Sequence, residues 1–135
     1  MAPDTGQGDD WRGDGLVLVV EDEARVLRFA TDMLAALGFD VLAAGDGSGA
    51  LDLMRRHRDR LTLVLLDLTL PGMTGEQLLA ELERAAVAVP IVVFSGYDAD
   101  DLGKRLAGRQ VAGYLQKPFR LAELRAAVRH ALAAN

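Results

Sequence analysis

Four short stretches of this chain end in residues that could do chemistry together. Glu21, Asp22 and Glu23 follow one apolar run, Asp67 follows another, Ser95 a third, and Lys117 with Pro118 a fourth. If Glu21, Asp22 and Asp67 converge, two carboxylates about 5 Å apart repel by roughly 3 kcal/mol at an effective dielectric near ~20. Either a carboxyl group stays protonated or a cation sits among them. The ligands on offer are oxygens with no His or Cys nearby, so a hard ion that keeps part of its water, such as Mg²⁺, suits them better than zinc. Asp67 has a further use. The apolar residues 63–66 drive it to the end of a buried strand and residues 70–72 force a turn, which places its carboxylate as a nucleophile able to form an aspartyl phosphate. Phosphoryl transfer asks mainly for positioning and charge neutralisation around three equatorial oxygens. A divalent ion, the Lys117 ammonium and the Ser95 hydroxyl meet those needs.

Each residue also has an ordinary explanation. Residues 21–23 would suit the first turn of a helix, where the dipole favours carboxylates. Ser95 precedes Gly96 and would end a strand in a turn. Lys117 alone would be a solvated lysine, and Tyr114 an amphipathic residue closing a strand. What favours the chemical reading is their shared position at consecutive strand ends. The Lys117–Pro118 bond is in addition a candidate for the rare cis isomer, which would aim the lysine back into the site.

The elements that must position these groups are legible as alternating patterns. Apolar runs at 16–20, 41–44, 61–66, 91–94 and 111–115 have the length of buried strands. Between and after them, apolar residues recur at helical spacing, as in Val26, Leu27, Ala30, Met33, Leu34 and Leu37, or Leu121, Leu124, Val128 and Leu132. The segment 98–107 shows only Leu102 and Leu106 on such a stripe and is the weakest of the helices. Continuous apolar strands alternating with helices predict a doubly wound α/β fold with a five-stranded parallel sheet. Right-handed crossovers then put every strand's C-terminal end on one edge, where ligands of such folds bind. Residues 1–15 are rich in Gly and Asp with the single aromatic Trp11, and read as a flexible linker or tail, leaving 16–135 as the domain.

A length of 135 residues suits one domain. No apolar run approaches the roughly 18 residues of a membrane span and no signal pattern opens the chain, so a cytoplasmic location without membrane contact is expected. Cysteine is absent, which excludes disulfides, thiolate metal sites and cysteine nucleophiles. The net charge of −5 argues against direct binding of nucleic acid. His57 and His130 read as residues near helix C-termini and not as phosphorylated histidines.

Four motifs, VLVVEDE at 17–23, VLLDLTLPGMTG at 64–75, VVFSGYD at 92–98 and GYLQKPF at 113–119, resemble the receiver domains of bacterial two-component response regulators. The resemblance implies a flavodoxin-like receiver fold with strand order 2-1-3-4-5, and transfer of a phosphoryl group to Asp67 from a histidine kinase or histidine phosphotransfer protein. It implies that Asp22, Asp67 and the backbone carbonyl of Thr69 bind Mg²⁺ directly, with Glu21 acting through a coordinated water. Lys117 would pair with the phosphoryl group, Ser95 would move to hydrogen-bond it, and Tyr114 would be the aromatic whose orientation follows. The surface from residue 98 to the final helix would then change shape for an output partner, or for a homodimer formed on phosphorylation.

Two positions depart from the commonest pattern, with Glu21 in place of an aspartate and Ser95 in place of a threonine. Thr69 and Tyr97 resemble the variable pair flanking the attacking water in dephosphorylation, and a bulky Tyr97 implies a slow loss of the phosphoryl group. A haloacid dehalogenase would want an acid where Thr69 stands, a flavodoxin would want a phosphate loop where residues 21–23 stand, and a pseudo-receiver would lack the aspartate, an acid or the lysine. The expected molecule is a signalling phosphoacceptor that assists its own phosphorylation and dephosphorylation, with no output domain of its own. The segment WRGDG, with SGYD and LQKPF, is similar to receivers at the C-terminus of hybrid histidine kinases, which would make the chain a fragment; a free-standing regulator is the alternative.

Overall fold

A computed structural model describes residues 11–70, 72–84, 88–109 and 111–133. Ten elements alternate: β1 (Leu16–Val20), α1 (Ala24–Ala36), β2 (Asp40–Ala44), α2 (Gly47–Arg56), β3 (Leu61–Asp67), α3 (Gly75–Arg84), β4 (Ile91–Ser95), α4 (Ala99–Arg105), β5 (Gly113–Gln116) and α5 (Leu121–Ala133). The strands form one parallel sheet, as the apolar runs predict, in the order β2-β1-β3-β4-β5 that the resemblance implies.

Successive strand residues point to opposite faces, and both faces are covered, which is why the strands carry no polar alternation. Leu18, Val20, Val64, Leu66 and Val93 pack with Ala50 and Met54 of α2, Leu78, Leu79 and Leu82 of α3 and Leu102 of α4. Their neighbours Val17, Val19, Leu63, Leu65, Val92 and Phe94 pack on the other face with Ala30 and Leu34 of α1 and Leu124 and Val128 of α5. Leu102 and Leu106, the two apolar residues of the weakest stripe, are both buried. Among the described residues no helix is long and apolar enough to cross a membrane.

Register sets the functional edge. Val20 pairs with Leu66, Asp67 with Phe94, and Ser95 with Gln116, so Glu21, Asp67, Ser95 and Lys117 come out along one rim. Two strands run one residue further than their apolar runs, because Asp67 and Ser95 themselves take part in the ladder. The last strand differs more. The apolar run at 111–115 predicts a strand there, whereas the ladder spans Gly113–Gln116. Val111 is partly buried against the core without joining the strand, since apolar character reports burial and not ladder pairing.

The segment read as a tail also differs in part. Residues 1–10 lie outside the described residues, but the Trp11 ring sits 6.3 Å from Phe39 between centroids, the Gly13 N–H donates to the Leu37 carbonyl at 2.7 Å, and the Asp40 N–H donates to Gly15 at 2.9 Å. A Cβ on Gly13 would lie 1.9 Å from the Phe39 ring. Glycine here permits close approach of two chain segments instead of marking a linker.

After β3 the chain turns through Gly72, at φ +77°, into α3. Thr74 and Gln77 cap that helix reciprocally: the Gln77 N–H donates to Thr74 Oγ1 at 3.1 Å and the Thr74 N–H to Gln77 Oε1 at 2.8 Å. Gly75 is pressed onto the end of β3, its N–H donating to the Leu68 carbonyl at 2.9 Å. A Cβ there would stand 2.5 Å from Leu68 Cα and 2.9 Å from the Asp67 carbonyl oxygen, backbone atoms with little room to yield. Gly75→Ala is therefore expected to destabilise the fold by about 1–3 kcal/mol, read as a lower urea midpoint at unchanged slope.

Candidate functional site

Glu21 follows directly from β1 and is 1 % exposed, Asp67 closes β3 at 2 %, and Ser95 closes β4 at 0 %. These are the three buried polar or charged residues among those described, and all lie on the same rim. Asp22, beside Glu21, is exposed. Carboxylate oxygens of Glu21, Asp22 and Asp67 lie within 4.8 Å of one another, so the convergence expected from the strand ends is present.

Lys117, beyond β5, supplies the opposing charge. Its Nζ lies 2.7 Å from Glu21 Oε1 and 3.5 Å from Asp67 Oδ2, and 5.0 Å from the centroid of the Phe94 ring. The Lys117–Pro118 bond is cis, as the sequence made it a candidate to be. Phe119, next in the chain, packs edge-on to Phe94 at 5.9 Å between centroids, fixing the loop that carries the lysine.

Hydrogen bonds orient the remaining groups. The Thr69 N–H donates to Asp67 Oδ1 at 3.2 Å, and the Glu23 N–H donates to Glu21 Oε2 at 2.9 Å. Ser95 Oγ accepts from the Tyr97 N–H at 3.0 Å. Tyr114 on β5 is half exposed and lines a groove with Gln116 and His130, outside the acidic cluster. The thirteen-residue α1, meanwhile, brings the exposed Phe29 against Phe119, with ring centroids 5.9 Å apart.

Burial raises the Glu21 carboxyl above its ordinary 4.5, and the charge of Asp67 adds to this, while the Lys117 and Glu23 hydrogen bonds oppose it. For Lys117 burial works against the ammonium, yet its bond to Glu21 and the charge of Asp67 outweigh burial and hold its pKa above 10.5. The titration of Lys117 itself thus leaves its stabilisation intact through the neutral range, and that stabilisation is lost only as pH rises from 10.5 through the raised value. Glu21 behaves oppositely to a salt-bridged acid at the surface. Folded protein binds its proton more tightly than unfolded protein, so its contribution to stability declines as pH rises from 4.5 through the raised value. In metal-free buffer, Glu21→Gln is expected to gain stability relative to wild type as pH goes from about 4.5 to about 7, measured by urea unfolding across that window.

With all groups ionised, three carboxylates and one ammonium leave two negative charges on the rim. All the side-chain donors are oxygen, the set that suits a hard divalent cation. A carboxylate held between such a cluster and a lysine is arranged for phosphoryl chemistry.

A family model of the response regulator receiver domain matches residues 17–129. The chain belongs to the response regulator receiver family. Receivers of this family are phosphoacceptors of two-component signalling, and that is the function of this domain. This receiver is 41 % identical over 120 residues to the DNA-binding response regulator MtrA of Mycobacterium tuberculosis, covering 88 % of this chain and 51 % of that protein. It is 32 % identical over 123 residues to the sensor kinase CckA of Brucella abortus, covering 91 % of this chain and 13 % of that protein. The chain spans about half or less of the length of these curated relatives. Among solved structures, a signal receiver domain of an HD domain-containing protein from Pseudomonas fluorescens superposes with TM-score 0.79 at 26 % identity, covering 90 % of this receiver and 97 % of that chain. A receiver domain protein from Clostridium thermocellum gives TM-score 0.81 at 22 % identity over 89 % of this chain and 95 % of its own, which concerns the fold alone.

Sequence reasoning missed two partners of the receiver's rim. The sequence marks Phe94 only as a strand residue, although its ring lies beneath the Lys117 ammonium. Arg105, whose guanidinium carbon lies 4.3 Å from the centroid of the Tyr97 ring, gave no signal beyond a basic residue in a short helix.

Proposed function

We propose that Asp67 is the phosphoacceptor of this receiver, and that Lys117 and Ser95 stabilise the phosphoryl group once it is transferred. The observation that carries this reading is the placement of the buried Asp67 carboxylate, with Lys117 Nζ 3.5 Å from Oδ2 and the Glu21 and Asp22 carboxylates within 4.8 Å. An oxygen of Asp67 attacks phosphorus, the bond from phosphorus to the donor's leaving atom breaks, and that atom leaves with its electron pair and takes up a proton. Lys117 balances charge on the transferred group, and the Ser95 hydroxyl leaves the Tyr97 N–H to donate to a phosphoryl oxygen. Glu21, Asp22, Asp67 and the carbonyl of Thr69 are the residues that would hold Mg²⁺, Glu21 through a water. Bound there, the ion would neutralise charge on the phosphoryl oxygens.

The donor is a histidine kinase or histidine phosphotransfer protein, and the output passes to another protein through the face bearing Tyr114. Assisted self-phosphorylation and slow dephosphorylation shielded by Tyr97 belong to the same reading, as does action in the cytoplasm. The similarity to a sensor kinase supports a hybrid-kinase setting for the domain.

The test is intact mass after incubation with a small-molecule phosphodonor. The wild-type chain is expected to gain one phosphoryl group with Mg²⁺ present and none in excess chelator. Folded protein that binds Mg²⁺ yet gains nothing would move the domain to a phosphorylation-independent interaction module.

A further inference from the structure

The hydroxyl of Ser95 is held by its own chain two residues on, at the Tyr97 N–H, 3.0 Å away. Such a bond fixes the direction of a serine hydroxyl and gives the backbone a local turn. Tyr97 is in turn fixed from outside. Tyr97 is 36 % exposed, and the Arg105 guanidinium carbon lies 4.3 Å from the centroid of its ring. Arg105 lies in the last turn of α4 and its Nε is 3.8 Å from Glu76 Oε2, in the first turn of α3. Glu76 follows Gly75, the residue pressed onto the carbonyl of Asp67. A chain of contacts therefore runs from the loop after β4, through one arginine, to the segment after β3, on either side of the phosphoacceptor.

We propose that Arg105 is a positioning residue that latches Tyr97, and through it Ser95, in the resting arrangement of the site. The proposal rests on the reading of Ser95 as the hydroxyl that turns to the phosphoryl group. While the latch is closed, the bond donated by the Tyr97 N–H holds Ser95 Oγ against turning about its Cα–Cβ bond. Opening it frees the loop and lets Ser95 turn toward Asp67. Because ligands shift populations only by their differential interaction with two states, a contact made in the resting state alone lowers the readiness of the site to accept phosphate. A cation–π contact at this exposure is worth about a two- to fivefold shift in that equilibrium, and the solvated pair with Glu76 adds little.

Amide exchange of residue 97, followed by NMR in metal-free, unphosphorylated protein, reads the latch without using phosphoryl chemistry. Arg105→Gln is expected to speed that exchange about two- to fivefold, and Arg105→Lys, which keeps a cation over the ring, to fall between. In a Tyr97→Leu background Arg105→Gln is expected to add nothing further, because the two share one contact. Unchanged exchange in Arg105→Gln overturns the proposal, and so does an undiminished effect in the Tyr97→Leu background, which would place it on the end of α4 instead. Phosphoryl uptake from a small-molecule donor with Mg²⁺ is expected to quicken by a similar factor in Arg105→Gln, and an unchanged rate overturns the link to Ser95. A wild type that takes up no phosphoryl group overturns the phosphoacceptor reading alone, and the exchange data still decide the latch.

Discussion

Asp67→Asn is expected to gain no phosphoryl group under conditions in which the wild-type chain is fully modified, while folding at least as stably without metal. The substitution is close to isosteric, and the amide oxygen can still accept the Thr69 N–H that now bonds Asp67 Oδ1 at 3.2 Å. What it removes is the oxygen proposed as nucleophile and one of three carboxylates lying within 4.8 Å of one another. Losing a like charge from a crowded rim relieves repulsion that the site maintains for its chemistry, a common trade between activity and stability. Intact mass and urea unfolding on the same samples check both halves. Uptake by the folded variant would place the acceptor elsewhere.

Lys117→Met is expected to slow phosphoryl uptake by about 10²–10³-fold, the usual consequence of deleting one preorganised group that faces developing charge. It should also lower stability at neutral pH by about 1–3 kcal/mol, because Glu21, 1 % exposed, loses the ammonium 2.7 Å from its Oε1. The loss of stability should shrink as pH falls through the Glu21 pKa, which burial already holds above 4.5, because a protonated Glu21 no longer needs a cation. Uptake rates at saturating Mg²⁺ and unfolding at two pH values separate the two effects. A variant that is destabilised but reacts at the wild-type rate would show Lys117 to be a structural counter-ion only.

Much of this was legible in the sequence because burial and chemistry coincide at strand ends. Residues 63–66 are apolar without interruption because both faces of β3 are covered, and the first charged residue after them had to emerge at the rim. That Lys117 reaches Glu21, 96 positions away in the chain, followed only from topology, since a lysine before a proline carries no such sign by itself. Glycine-rich sequence suggests a linker and does not report that Gly13 lets the segment from Trp11 lie on Phe39. The offset of β5 arose because Val111 is apolar for packing and not for pairing. The tie from Arg105 to Tyr97 joins the last turn of a seven-residue helix to the loop before it, a spacing no periodic pattern reports.

The central claim, that the carboxylate of Asp67 carries the phosphoryl group, is tested most directly by borohydride reduction of the phosphorylated chain followed by peptide mass mapping. Hydride reduces an acyl phosphate to an alcohol and releases phosphate, so position 67 is expected to appear as homoserine, only in samples exposed to phosphodonor with Mg²⁺. Homoserine at another aspartate, or a phosphoryl group that survives on a serine, threonine or histidine, would contradict the account.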